Sequence, residues 1–262
     1  MEKIMKYNRR KFLKALGKIV LVVGFAKYAK FGKSFSGFAE ATSYDPKFRY
    51  DIEKYLYGYG IDITKCIGCG KCVDACKKEN DVPNDPFYFR TWVERYAIFE
   101  NDEVKIDSPG GGRYGFNDIY KGKPLVKKYF VPKMCNHCEH APCVQVCPVG
   151  ATYKSEDGVV LVDRKYCIGC RYCIQACPYG ARYIHPVLKV VDKCTLCYHR
   201  ITNGLLPACV EVCPVKARIF GNLKDKNSEI NKFINSNNVQ VLKPHLGTKP
   251  KIYYKGMDKE VI

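Results

Sequence analysis

"CIGCRYCIQACPYGA", residues 167–181, places Cys167, Cys170, Cys173 and Cys177 within eleven positions and follows them with Pro178. The fold turns on what needs four thiols so close together. The stretch is one of four. Cys66, Cys69, Cys72 and Cys76 lie in "CIGCGKCVDACK", and Cys135, Cys138, Cys143 and Cys147 in "CNHCEHAPCVQVCP". Cys194, Cys197, Cys209 and Cys213 lie in "CTLCYHRITNGLLPACVEVCP", so all 16 cysteines of the chain fall into quartets.

The first and third quartets have the run C-x2-C-x2-C-x3-C, the spacing of bacterial ferredoxins. Three thiolates on one tight loop can each reach a different corner of a [4Fe-4S] cube. The fourth, expected where a helix begins, points away to a neighbouring cube. Pro148, Pro178 and Pro214 directly after the fourth cysteine block helix continuation. The first quartet has Lys77 there instead, in keeping with a longer excursion of the chain. Structural zinc uses two separated C-x2-C pairs rather than one run of four. Disulfides at this spacing, repeated in four loops, would make an implausible set of bridges. The quartets therefore predict four [4Fe-4S] clusters with the cysteines as iron ligands.

Composition agrees. The chain has 262 residues and is 47 % hydrophobic, a globular balance. The formal charge of +18 suggests a nucleic-acid partner only if every cysteine is a neutral thiol. Residues 1–41 hold ten Lys/Arg against Glu2 and Glu40. Sixteen thiolates on four cluster cores of about +2 each add roughly −8, leaving the processed protein at about +2. No nucleic-acid partner is expected.

The opening "MEKIMKYNRRKFLKALGKIVLVVGFAKYAK" carries Arg9-Arg10 before a weak apolar segment. Its clean apolar run, Ile19 to Ala26 between Lys18 and Lys27, is far shorter than the ~20 residues of a spanning helix. Residues 1–41 read as a twin-arginine signal, with Asn8 where Ser or Thr is usual and a small-x-small site at Ala39-Glu40-Ala41. That route exports folded protein, which lets thiols leave the reducing cytoplasm already ligated. The expected location is periplasmic, or the extracytoplasmic face of the membrane, with attachment through a partner or the uncleaved signal.

Between the quartets, "ATYKSEDGVVLVD" (151–163) reads as strand, Asp-Gly turn, strand, and "ARYIHPVLKVVD" (181–192) takes the same form. "ARIFGNL" (217–223) follows the fourth quartet. Strand pairs flanking cluster loops predict an α+β fold of two bacterial-ferredoxin-like modules over residues 60–222. Spacing leaves open whether the third quartet shares a module with the second or with the fourth. The insert 77–132 contains "YFRTWVERYAIF" (88–99), a strand, and "SPGGGRYG" (108–115), a flexible turn without the spacing of a phosphate loop. It is either a partner-docking surface or a private core. His137, His140, His185, His199 and His245 are expected to hydrogen-bond or face solvent rather than ligate metal.

The series "CIGCGKC", "CNHCEHAPC", "CIGCRYC…ACPYGA" and "DKCTLCYHR…LPACVEVCP" resembles the four-cluster iron–sulfur subunits of the dimethyl-sulfoxide-reductase group, over roughly Ile61 to Tyr254. Relatives of that group serve polysulfide, tetrathionate, thiosulfate, arsenate and formate-dependent nitrite reductases. The chain is also similar to the periplasmic iron–sulfur protein of the menaquinol-oxidising complex associated with sulfite reduction. The resemblance implies nested modules: an outer one of residues 60–76 plus 190–222 and an inner one of 133–189. The insert 77–132 is then a docking element, and 223–262, with "VLKPHLGTKPKIYY" (241–254), a C-terminal extension that wraps a partner.

The resemblance also implies four ligand sets. They are Cys66, Cys69, Cys72 with Cys213; Cys135, Cys138, Cys143 with Cys177; Cys147 with Cys167, Cys170, Cys173; and Cys76 with Cys194, Cys197, Cys209. Implied partners are a quinol-handling membrane subunit and a molybdopterin catalytic subunit, or else multihaem cytochrome and heterodisulfide-reductase-like subunits. Nothing in the chain reads as an organic active site, so bond chemistry falls to those partners.

Overall fold

The strand Tyr57–Asp62, β1, organises the structure, and its sequence "YGYGID" explains how. Alternation puts Tyr57, Tyr59 and Ile61 on one face of the strand and Gly58 and Gly60 on the other. All six residues are buried. A Cβ on Gly58 would stand 2.8 Å from the Leu223 side chain, and one on Gly60 would stand 2.7 Å from Phe233. The glycines thus let a helix lie flat on that face, while the aromatic face turns to the thiols. A computed structural model supplies this description for residues 48–84, 88–122 and 124–261. The twin-arginine reading of residues 1–41 lies outside the described residues.

Next comes α1 (Lys71–Glu79), the longest of the cysteine-bearing helices. Three strands follow: β2 (Thr91–Phe99), β3 (Val104–Asp107) and β4 (Leu125–Met134). They form an antiparallel sheet in the order β3-β2-β4. The second quartet carries α2 (Pro142–Gln145), then the hairpin β5 (Thr152–Lys154) and β6 (Val160–Val162). The third carries α3 (Tyr172–Gln175), then the hairpin β7 (Arg182–Ile184) and β8 (Val191–Lys193). The fourth is split over α4 (Tyr198–Ile201) and α5 (Ala208–Glu211). The chain closes with β9 (Arg218–Asn222), α6 (Glu229–Ser236), β10 (Val239–Gln240) and β11 (Ile252–Lys255).

The two hairpins and β9 stand where the alternation in sequence puts them. β9 does not pair with its sequence neighbours. It runs antiparallel to β1, Tyr59 opposite Phe220, across about 160 residues of chain. β11 pairs with β1 on the other side, in parallel, giving the sheet order β10-β11-β1-β9. Segment 223–261 is therefore built into the sheet that flanks the first and fourth quartets. Ile252 and Tyr254 are buried in the main core, and α6, capped by Ser228, presses Ile230 and Phe233 onto β1 and β9.

Two expectations are revised. The third cysteine of each quartet, not the fourth, begins the helix: Cys72, Cys143, Cys173 and Cys209 lie in α1, α2, α3 and α5. Cys147, Cys177 and Cys213 follow their short helices and precede the proline, while Cys76 stays inside α1, which continues because Lys77 replaces proline. The stretch 108–115 is no loose turn. Gly111 and Gly112 are buried, and a Cβ on Gly111 would meet the Phe89 ring at 2.5 Å. Residues 77–132 contribute to both core and surface: Val93, Tyr96 and Val131 join the main hydrophobic cluster, and Ile106, Ile119, Tyr114 and Val126 face outward.

Candidate metal centre

All four C-x2-C loops share one backbone device. The residue before the second cysteine, Gly68, His137, Gly169 or Leu196, has φ of 67°, 42°, 71° or 55°. A left-handed residue there curls the loop so that amide N–H groups face inward, the form of an anion-binding nest. Amides do reach sulfur. Leu196 N–H donates to Cys194 Sγ at 3.4 Å, Val191 N–H to Cys167 Sγ at 3.4 Å, Thr152 N–H to Cys147 Sγ at 3.4 Å and Ala217 N–H to Cys213 Sγ at 3.3 Å.

Helix packing decides which thiols meet. α1 packs on α5, and α2 on α3. A cavity walled by Ile67, Val93, Pro132 and Arg218 is lined by Cys66, Cys69, Cys72 and Cys213 together. Cys76 lies within electrostatic reach of Cys194, Cys197 and Cys209. Cys138 has Cys135, Cys143 and Cys177 as neighbours, and Cys173 has Cys167. Thr152 stands between Cys147, to which its amide donates, and Cys173, which its hydroxyl approaches. Cys170 is the exposed member of the sixteen.

Charge around the thiols is one-sided. Arg218 Nη2 donates to Cys72 Sγ at 3.2 Å and Arg182 Nη2 to Cys143 Sγ at 2.9 Å. Asn80 Nδ2 approaches Cys197 Sγ at 3.5 Å and Cys76 Sγ at 3.7 Å, and its Oδ1 accepts from Arg90 at 2.9 Å. Arg90 is itself clamped by both oxygens of the buried Asp192, at 3.1 and 2.9 Å. Tyr59 hydroxyl lies 3.2 Å from Cys209 Sγ. As free thiols, the more buried of them resist ionisation: burial pushes Cys66 up to about 11 and Cys138 up to about 12, and Cys76 and Cys194 upward as well. Cys147 goes down despite desolvation, because the amides of Thr152, Val149 and Ala151 donate to it.

These residues fit an iron–sulfur group. Arg218, Arg182 and Lys193 are buried, and none forms an ion pair with a carboxylate among the described residues. An uncompensated buried cation costs several kcal/mol. Thiolates on iron supply the missing negative charge, and the irons in turn make thiolates the stable form. Within the second loop, the side-chain amide of Asn136 and the Nε2 of His137 are also buried without a hydrogen-bond partner.

The histidines take structural parts. His137 Nδ1 accepts from Val160 N–H at 3.1 Å, and His185 Nδ1 accepts from Val187 and Leu188 N–H. His199 meets Glu79 at 2.7 Å, His140 lies 3.3 Å from the Gly247 carbonyl, and His245 is exposed. The residues that sequence reasoning missed are Arg182, Arg218, Lys193, Tyr59, Asn80 and Thr152. A signal existed for two of them: "CPYGAR" and "CPVKAR" repeat an arginine five residues after the last cysteine.

Comparison with known proteins agrees with this chemistry. Residues 65–151 and 126–223 each match a 4Fe-4S dicluster domain. A tetrathionate reductase subunit of Salmonella typhimurium is 38 % identical over 97 % of this chain and 90 % of its own length. A tetrathionate reductase subunit of Archaeoglobus fulgidus is 48 % identical over 76 % of this chain and 81 % of its own. An Hdr-like menaquinol oxidoreductase iron-sulfur subunit, also of Archaeoglobus fulgidus, is 36 % identical over 77 % of this chain and 84 % of its own. With matches of this breadth, and two dicluster domains whose sixteen cysteines fit four [4Fe-4S] clusters, the chain belongs to the 4Fe-4S dicluster family of iron–sulfur electron-transfer subunits.

Proposed function

We propose that this subunit relays single electrons between a quinol-handling membrane subunit and an extracytoplasmic molybdopterin reductase, through clusters held by four nested cysteine sets. The sets are Cys66, Cys69, Cys72 and Cys213; Cys76, Cys194, Cys197 and Cys209; Cys135, Cys138, Cys143 and Cys177; and Cys147, Cys167, Cys170 and Cys173. The observation that carries this is the cavity where Cys213 joins the three thiols of the first quartet, about 140 residues earlier in the chain. Pairing of β1 with β9 supports an outer module, and packing of α2 on α3 an inner one.

When bound, the clusters supply one-electron redox chemistry. The chain's own residues order them. Cys72 neighbours Cys209, Cys194 neighbours Cys135, and Arg182 spans Cys143 and Cys173. The sets therefore follow one another in a line, beginning with the Cys66 set and ending with the Cys147 set. Each end has an apolar surface. Ile67 is exposed at the first, and Tyr166, Ile168 and Tyr172, neighbours in sequence of exposed Cys170, are exposed at the other. Partners meeting those ends would find a thiolate-bound iron near the surface and water-excluding side chains around it.

Export by the twin-arginine route fits a chain whose metal must be inserted before it crosses the membrane. The relative from Archaeoglobus named as an Hdr-like menaquinol oxidoreductase subunit favours a second reading, a menaquinol-oxidising complex without molybdenum. The subunit isolated anaerobically from its partners is expected to contain about sixteen iron and sixteen acid-labile sulfide atoms per chain, and metal analysis of the intact complex separates the two readings. Stoichiometric molybdenum or tungsten selects the first reading; its absence alongside full iron selects the second. Iron far short of sixteen overturns both.

A further inference from the structure

Three buried cations with no carboxylate ion pair among the described residues are not scattered. Arg218, Lys193 and Arg182 are 3 %, 0 % and 5 % exposed, and each stands where two successive cysteine sets meet. At the first junction, Arg218 Nη2 donates to Cys72 Sγ at 3.2 Å. Its Nη1 donates to the Tyr59 hydroxyl at 3.2 Å, and that hydroxyl lies 3.2 Å from Cys209 Sγ. One guanidinium thus touches the Cys66 set and reaches the Cys76 set through a single oxygen.

The last junction repeats the device. Arg182 Nη2 donates to Cys143 Sγ at 2.9 Å and Nη1 to Thr152 Oγ1 at 3.3 Å, while Thr152 N–H donates to Cys147 Sγ at 3.4 Å. Here one guanidinium touches the Cys135 set and reaches the Cys147 set through one residue. Both arginines occupy the same place in sequence, five residues beyond Cys177 and Cys213 in C-P-x-x-A-R. At the middle junction Lys193 donates to the carbonyl oxygens of Cys194, at 2.7 Å, and Val160, and it lies close to both Cys135 and Cys194.

We infer that Arg218, Lys193 and Arg182 are junction cations, each stabilising the reduced state of both clusters it stands between and weakening the repulsion between reduced neighbours. The inference rests on the ligand sets proposed above. Reduction adds one negative charge to a cluster, and in a low-dielectric interior two such charges repel across a short gap. A fixed positive charge in that gap favours the added electron on either side. A guanidinium keeps its charge at any working pH, which suits it to the task. The three residues are positioning residues: they tune the relay and carry no electron.

The test is an EPR-monitored redox titration of the full-length holoprotein, with iron and sulfide measured on the same samples. Arg218→Gln keeps an amide donor and removes the charge. It is expected to lower two of the four potentials by at least tenfold in the reduction equilibrium, about 59 mV for a one-electron couple, and to leave the other two in place. Arg182→Gln is expected to lower the complementary pair, and Lys193→Gln the middle two. Arg218→Lys, which restores charge without the forked geometry, is expected to return the first pair toward wild type. Unmoved potentials in a fully iron-loaded variant, or an equal shift of all four, overturn the inference and leave the cluster reading intact. Wild-type protein short of iron overturns the reading itself. Should Arg218→Gln lose iron, Arg182→Gln decides by the same criteria.

Discussion

At the scale of single residues, the left-handed position in each cysteine loop shows what a side chain must tolerate to hold metal. Glycine serves twice, at Gly68 and Gly169. His137 and Leu196 adopt the same conformation although an L side chain there costs about 1–2 kcal/mol. Tertiary contacts offset that cost: Leu196 is buried in the main core, and His137 accepts the Val160 amide. Gly169 has no such latitude, because a Cβ would stand 2.5 Å from the Lys189 carbonyl oxygen, a backbone atom of the β7–β8 turn. Gly169→Ala is therefore expected to displace that turn and lower stability by about 2 kcal/mol or more, combining strain with the clash. Thermal unfolding of holoprotein, read with iron content, checks this; an unchanged midpoint at full iron would refute it.

Among elements, the short cysteine helices act as rulers between sites. α5 carries Cys209 toward Cys76 and is followed by Cys213, which lines the cavity of Cys66, Cys69 and Cys72, while α1 carries both Cys72 and Cys76. Cys213→Ser should therefore disturb the cluster of the first loop, far away in sequence, and spare the one held mainly by its own quartet. The expected result is loss or conversion of a single cluster, read as up to about four irons fewer and the disappearance of one EPR signal. A lost signal that belonged to the Cys194 and Cys197 loop would contradict the nested sets. The hairpins of 151–163 and 181–192 are legible in sequence because their alternation and Asp-Gly or Pro turns are local. β1 is not, although "YGYG" alternates as well. Its glycines look like turn residues until α6 and Leu223 are seen to occupy the space above them.

At the scale of the whole molecule, the segment 223–261 is built into the fold rather than trailing from it. β11 lies beside β1 with Ile252 and Tyr254 buried, and the Tyr254 hydroxyl donates to the Pro132 carbonyl at 3.2 Å. Its strand thereby ties the insert's last strand, the first quartet and the C-terminus together. Ile252→Ala should cost about 2–5 kcal/mol, the range for a truncated core aliphatic. Chemical denaturation of the anaerobic holoprotein measures it, and a loss below about 1 kcal/mol would show that β11 is peripheral.

By itself the sequence determined the number of quartets, the sixteen cysteines that fit four clusters and the places where helices must stop, because Cys spacing and the following proline act over a few residues. It also carried the arginines of C-P-x-x-A-R in plain sight, without revealing what they touch. Only the tertiary structure decided that Cys213 shares a cavity with Cys66, that β9 pairs with β1, and that Arg218 and Arg182 donate to Cys72 and Cys143. Those relations join residues from opposite ends of the cysteine-bearing region. They depend on which apolar faces bury one another, a choice that local spacing leaves degenerate and packing resolves.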